Sequence, residues 1–261
     1  MSDHGRWIWY ELITSDVAGA KRFYGDLVGW TAQDLPPMPG AEPYAILSAD
    51  GYGVGGVMNL GAPMKAEGMT PNWTGYICVD DCDAAAAKAK ALGGGVMRQP
   101  WDIPGVGRIA IVTDPAGAVF AIMKPTPPEG GRPEAPKGVL GLVSWHELYG
   151  AAPDQAFGFY AEMFGWTKTQ DFDMGPGVGK YQLFANQDGE VGAMMQKPAE
   201  AHACYWNFYV RVGDIGAAAQ RARAGGAQIL LEPMEVPGGD WVFQGVDPQG
   251  AFFSIQGVKA G

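Results

Sequence analysis

Internal repetition constrains this chain more than any other feature. Trp9-Tyr10-Glu11-Leu12 returns as Trp145-His146-Glu147-Leu148, and Phe23-Tyr24 with Gly29-Trp30 returns as Phe159-Tyr160 with Gly165-Trp166. Both echoes lie 136 positions downstream. Ile103-Pro104-Gly105 then matches Val236-Pro237-Gly238, and Asp114-Pro115 with Gly117-Ala118 matches Asp247-Pro248 with Gly250-Ala251. These later pairs are 133 positions apart, so about three residues were lost between the copies. A tandem duplication of a unit of about 120 residues implies two like modules. Between them runs Pro125 to Pro136, with five prolines and two glycines, which reads as an extended linker. The modules are therefore placed at 1–124 and 138–261, with the linker at 125–137.

Each copy divides again. Residues 7–13 read as a strand and 16–28 as a helix capped by Asp16, with strands near 29–35, 43–49 and 54–59. The pattern restarts with a strand at 73–80, an Ala-rich helix at 81–92, and strands near 95–101, 107–113 and 118–124. The second copy runs likewise from 142 and from 205. Four βαβββ units, with three hairpin-spaced strands after each helix, imply an α+β architecture and not alternating βα. The 40 glycines and 20 prolines among 261 residues agree, since they favour short elements joined by turns.

The units carry "FYxxxxGW" at the close of a first helix and "DPxGxxF" before a last strand. In this the chain resembles the vicinal oxygen chelate superfamily of glyoxalases, bleomycin-resistance proteins and extradiol dioxygenases. Its W-[YH]-E-L openings are similar to a two-module, glyoxalase-like bacterial subgroup. The resemblance covers nearly all of the chain outside the linker. It implies curved sheets around cavities and, in metal-dependent members, ligands on the first and last strands. Carried over residue by residue, those positions fall on Trp9, Thr74 and Ala121 in the first copy, and on Trp145, Asn207 and Ser254 in the second. Zinc, nickel and iron want imidazole, carboxylate or thiolate, which none of these supplies. The expectation is a family scaffold without the family chelate, and no cofactor.

What stands on the first strands suggests another chemistry. Side chains alternate across a strand, so Trp7, Trp9, Glu11 and Ile13 should share the cavity face, as should Val143, Trp145, Glu147 and Tyr149. Tyr10, Leu12, His146 and Leu148 should face the helices. A carboxyl beside indoles is pushed toward its neutral form unless a donor pairs with it. Glu11 and Glu147 are thus candidates for a general acid or base or for anchoring a cationic ligand, with Trp9 and Trp145 as ligand-binding rings. The ordinary alternative, and the favoured one, is that each carboxylate is satisfied by a neighbouring Arg, Tyr or backbone amide. His146 is expected to pack, His202 to sit on a surface loop and His4 in a mobile terminus. Gly51-x-Gly53-x-x-Gly56 matches a dinucleotide fingerprint by letter, but no helix start follows it, so it reads as a hairpin turn. The segments 36–43 and 174–179 fall at matching places and are candidate rims over the cavities.

Charge and cysteines exclude other classes. A formal charge of −10 opposes nucleic-acid binding, and no polybasic patch suits a lipid surface. There is no secretory-type opening and no apolar run of membrane length. Of Cys78, Cys82 and Cys204, the first two make a C-x3-C, but no second Cys or His pair completes a zinc set. The expected protein is cytoplasmic, a monomer or homodimer, and binds a small apolar, aromatic or cationic molecule without a metal. The alternative is a glyoxalase-type lyase or dioxygenase-type enzyme that uses a metal or the cavity carboxylates.

Overall fold

The computed structural model describes residues 2–36, 42–126, 135–136, 138–176 and 179–259. Most of the linker, 127–134 and 137, lies outside these residues, as do 37–41 and 177–178 of the two candidate rims.

The four βαβββ units are present. The first comprises β1 (Trp7–Thr14), α1 (Val17–Val28), β2 (Thr31–Asp34), β3 (Tyr44–Ala49) and β4 (Tyr52–Asn59). A short α2 (Ala62–Ala66), absent from the sequence expectation, leads to the second: β5 (Asn72–Cys78), α3 (Cys82–Ala91), β6 (Gly95–Ile103), β7 (Gly107–Thr113) and β8 (Val119–Pro125). The third comprises β9 (Val143–Gly150), α4 (Pro153–Phe164), β10 (Thr167–Asp173), β11 (Lys180–Asn186) and β12 (Gly189–Gln196). The fourth comprises β13 (Tyr205–Val212), α5 (Ile215–Ala224), β14 (Gln228–Glu235), β15 (Trp241–Val246) and β16 (Phe252–Gly257). Strands follow the orders β2-β3-β4-β1, β5-β8-β7-β6, β10-β11-β12-β9 and β13-β16-β15-β14. In each, the unit's first strand lies parallel to its last, with antiparallel hairpins outward.

Local chemistry sets these elements. Asp16, Asp81 and Asp214 stand in extended backbone and accept from amides two or three residues on, which satisfies the orphan donors of a helix start. α4 begins instead with Pro153, whose missing N–H costs nothing there. Gly29 and Gly165 close α1 and α4 at φ 80° and 71°, the left-handed turn that glycine reaches without strain. The Gly51 fingerprint is a hairpin turn as expected: Asp50 and Gly51 take φ 48° and 82° between β3 and β4.

The chain forms two compact units that do not follow the copies. One contains residues 1–8, 74–132 and 145–207, and so joins the second and third βαβββ units. The other contains 9–73, 133–144 and 208–261, and joins the first with the fourth. The motif residues explain this pairing. In the latter, the Tyr24 hydroxyl of α1 donates to Asp247 at 3.0 Å and accepts from the Trp73 indole at 2.9 Å. In the former, Tyr160 of α4 donates to Asp114 at 3.2 Å and accepts from Trp206 at 3.0 Å. Each Asp also ties its own turn: Asp114 accepts from the amides of Ala116 and Ala118, and Asp247 from those of Gln249 and Ala251. Thus the Tyr of "FY" in one copy is bonded to the Asp of "DPxG" in the other. The motif tryptophans do similar work, Trp30 donating to the Gly141 carbonyl and Trp166 to that of Gly5. Burial, then the neighbouring aspartate, holds both tyrosine hydroxyls well above their usual pKa. Burial likewise raises both aspartates.

The N-terminal segment docks on its own compact unit through His4 and Gly5. The His4 ring nitrogen lies 3.1 Å from the Met163 carbonyl, and Gly5 donates to the Cys78 carbonyl. No helix among the described residues is long and apolar enough to cross a membrane.

Candidate functional site

β1 and β9 place their acidic residues on the face turned away from the helices. In the first copy, the Trp9 indole donates to the Tyr44 hydroxyl at 3.0 Å, and Tyr44 donates to Glu11 at 2.9 Å. In the second, Trp145 donates to Tyr181 at 2.9 Å, and Tyr181 donates to Glu147 at 2.7 Å. The same Trp–Tyr–Glu relay is therefore built twice. Strand pairing positions it. Glu11 lies opposite Gly56 and Tyr44 opposite Met58, while Glu147 lies opposite Ala193 and Tyr181 opposite Met195. Tyr44 and Tyr181 occupy one register position, on the strand two away from the acid.

The carboxylates are nearly covered, Glu11 9% and Glu147 5% exposed. Each has the tyrosine donor that the sequence reading allowed for. Each carboxylate accepts a hydrogen bond from a tyrosine hydroxyl in a weakly polar site. Burial first, then the Glu147 charge, raises the Tyr181 hydroxyl well above its usual value and pushes Tyr205 up to about 12. Tyr205 and Tyr149 stack at 4.9 Å, so the second relay has an aromatic flank on its own face.

Trp7 stacks on His146 at 4.8 Å, with Trp166 and Trp206 beside it, and so belongs to the other compact unit from Trp9 and Glu11. His146 packs as predicted. Its Nδ1 lies 2.7 Å from the Val191 carbonyl, and burial lowers its pKa to about 4. His202 is exposed in a loop.

At the positions carried over from the chelating relatives stand Trp9, Thr74, Ala121, Trp145, Asn207 and Ser254. Trp9 and Trp145 are committed to the relays. Asn207 and Ser254 are 3% and 1% exposed, and the Asn207 amide nitrogen and Ser254 hydroxyl have no hydrogen-bond partner. These donors do not suit a divalent transition metal. Among the described residues no group of three or more His, Cys, Asp or Glu side chains stands ready to hold an ion. Two shallow clefts of about 230 and 250 Å³ lie elsewhere, one beside Leu27 and Arg221 and the other beside Asp83 and Lys90, and contain no relay residue.

Sequence reasoning missed Tyr44 and Tyr181, the central members. Each follows a Pro/Gly-rich segment and reads as an ordinary strand residue. Their common place in the repeat, one at the start of β3 and one in β11, was the available signal.

The model of the family "Glyoxalase/Bleomycin resistance protein/Dioxygenase superfamily" matches the chain twice, over residues 6–122 and 143–255. The protein "Putative glyoxylase CFP32" of Mycobacterium bovis is 35% identical over 249 residues, covering 95% of this chain and 92% of its own. "Anthracycline biosynthesis protein DnrV" of Streptomyces peucetius is 32% identical, covering 97% and 93%. Among solved structures, a Mn(II)-bound glyoxalase from Novosphingobium aromaticivorans aligns at TM-score 0.63 and 18% identity, over 98% of this chain and 84% of its own. The 2,3-dioxygenase LapB from Pseudomonas sp. KL28 aligns at TM-score 0.66 and 12% identity, over 99% and 94%. At such identities these two show a shared fold.

Proposed function

We propose, from the premise that this chain belongs to the glyoxalase/bleomycin resistance protein/dioxygenase superfamily, that it is a metal-independent binder of planar aromatic molecules that carry a positive charge. The duplicated Trp–Tyr–Glu relay carries this reading. A charged carboxylate among ring faces attracts a cation through both its charge and the ring quadrupoles. The tyrosine holds the carboxylate in place and the indole holds the tyrosine, so little ordering remains to be done on binding. Both acids are nearly covered, so a ligand reaches them by displacing neighbouring rings. The relative named for anthracycline biosynthesis supports the ligand class, since anthracyclines are fused planar rings bearing an amino sugar. The protein acts in a reducing cytoplasm, and its two internal copies supply the pairing of modules within one chain.

The test uses an anthracycline with its amino sugar, and its aglycone, titrated by ring fluorescence. Glu147→Gln and Glu11→Gln together should weaken the amine-bearing probe about tenfold, about 1.4 kcal/mol, and leave the aglycone unchanged. Wild-type affinity in the double variant would sink the cation anchor. Metal content of protein purified without chelator or a nickel column should be near zero per chain. A value near one or two would restore the chelate.

Catalysis is the second reading, favoured by the Tyr181–Glu147 hydrogen bond at 2.7 Å. A tyrosine and carboxylate so paired can hand a proton to or from a bound substrate. Turnover of α-ketothiol adducts or catechols that Glu147→Gln abolishes would establish it.

A further inference from the structure

The fourth βαβββ unit carries polar side chains in two rows on its helix-free face. Phe253 packs against Phe23 and Tyr24 of α1, so the neighbouring Ser254 points to the opposite face. Ser254 pairs with Tyr209 on β13 and with Gln244 on β15. The Gln244 amide donates to the Tyr209 hydroxyl at 2.7 Å, across the strand that carries Ser254. In the next row, Gln256 lies opposite Arg211. Arg211 makes a two-pronged contact with Asp240 at 2.9 and 3.2 Å, and Gln256 donates to the same Asp240 at 2.8 Å.

The second unit has the same register and keeps only the tyrosine, as Tyr76. There Ala121 pairs with Tyr76 and Ile111, and Met123 pairs with Cys78 and Ile109. Serine thus replaces alanine and glutamine replaces isoleucine in the first row, while arginine replaces cysteine and glutamine replaces methionine in the second. Polar groups are costly to bury and are retained where they find partners. Yet the Ser254 hydroxyl, in a residue 1% exposed, has none.

We infer that Ser254, Gln244 and Tyr209 form a subsite for an uncharged hydroxyl or carbonyl group of a ligand, present in the compact unit that joins the first and fourth βαβββ units and absent from the one that joins the second and third. Charge selects the ligand class. Asp240 neutralises Arg211, so the rows present hydrogen-bonding groups without a net charge, and an ion would lose hydration for no counter-charge. A ligand oxygen accepts a hydrogen bond from the Ser254 hydroxyl and shares the Gln244 amide that now donates to Tyr209. The inference rests on the proposal that the helix-free face binds ligands, and gives the compact unit that holds the Glu11 relay a preference the relays alone would not.

The experiment titrates 2-naphthol, with naphthalene as the control, into isotope-labelled full-length protein. Side-chain amide signals of Gln244 and indole N–H signals of Trp9 and Trp145 are followed. 2-Naphthol should move the Gln244 signals, and Ser254→Ala should raise its Kd about fivefold while leaving naphthalene unchanged. That variant installs the first module's residue and removes an unpaired hydroxyl, so its Tm should not fall. Gln244 moving alone upholds the subsite and removes the relay as a ligand anchor. Indole signals moving with Gln244 still upholds the relay and overturns the subsite. Silence from all three, or an equal loss for both probes in Ser254→Ala, also overturns it.

Discussion

In the first copy Glu11 lies opposite Gly56, and a Cβ built on that glycine would stand 1.8 Å from the Tyr44 hydroxyl. In the second copy Glu147 lies opposite Ala193, which already carries a Cβ and is fully buried. The two relays use the same residue types at the same register, yet the tyrosines approach their carboxylates along different paths. Tyr44 reaches over a bare backbone, whereas Tyr181 makes room for a methyl group. On the helix side the copies agree more closely. Tyr24–Asp247 and Tyr160–Asp114 are near-equivalent, each with a tryptophan donor behind it. Duplication has kept the contacts that close each compact unit and let the helix-free faces drift apart. That is the pattern expected where one face sets stability and the other sets what is bound.

The largest effect should come from the conserved side. Asp247→Ala strips an acceptor from two buried backbone amides and from Tyr24, and should lower unfolding free energy by about 3 kcal/mol. Asp114→Ala should cost the same in urea denaturation. A difference beyond about 1 kcal/mol between them would break the equivalence of the two compact units.

His146 stands where the first copy has Tyr10, and its lowered pKa of about 4 ties stability to pH. The folded state binds the proton less readily than the unfolded chain, near 6.5. The contribution is therefore complete above about pH 6.5 and is lost as pH falls toward 4. His146→Tyr should remove about 2 kcal/mol of the stability difference between pH 7 and pH 4.5, measured by urea titration at the two pH values. An unchanged pH slope would mean the ring is already charged when folded.

Gly56→Ala sharpens the contrast between the relays. The added methyl must push Tyr44 off Glu11, at an expected cost of about 1 to 3 kcal/mol. The reverse change, Ala193→Gly, should cost about 1 kcal/mol or less, mostly backbone entropy in a strand. Equal costs would mean that the tyrosines take the same path after all.

Much of the fold was legible because its determinants are local or repeated. Asp caps at 16, 81 and 214, glycine stops at 29 and 165, and two echoes of one pattern fix four βαβββ units without reference to any distant contact. The short helix at Ala62–Ala66 escaped, since five residues carry no periodicity. Glu11, Glu147, Trp9 and Trp145 could be nominated by alternation along one strand. Tyr44 and Tyr181 could not be assigned from alternation, because a relay partner on a strand two places away is fixed by register.

The sequence alone determined the number of units and their order. Tertiary structure alone decided which units close against which. The motif tyrosines of each copy are satisfied by the aspartates of the other, a choice made by burial and hydrogen bonding between residues more than 40 and as many as 223 positions apart. Nothing in a tandem repeat distinguishes pairing within a copy from pairing across copies, because both bury the same residue types. Only the geometry of the assembled strands separates them.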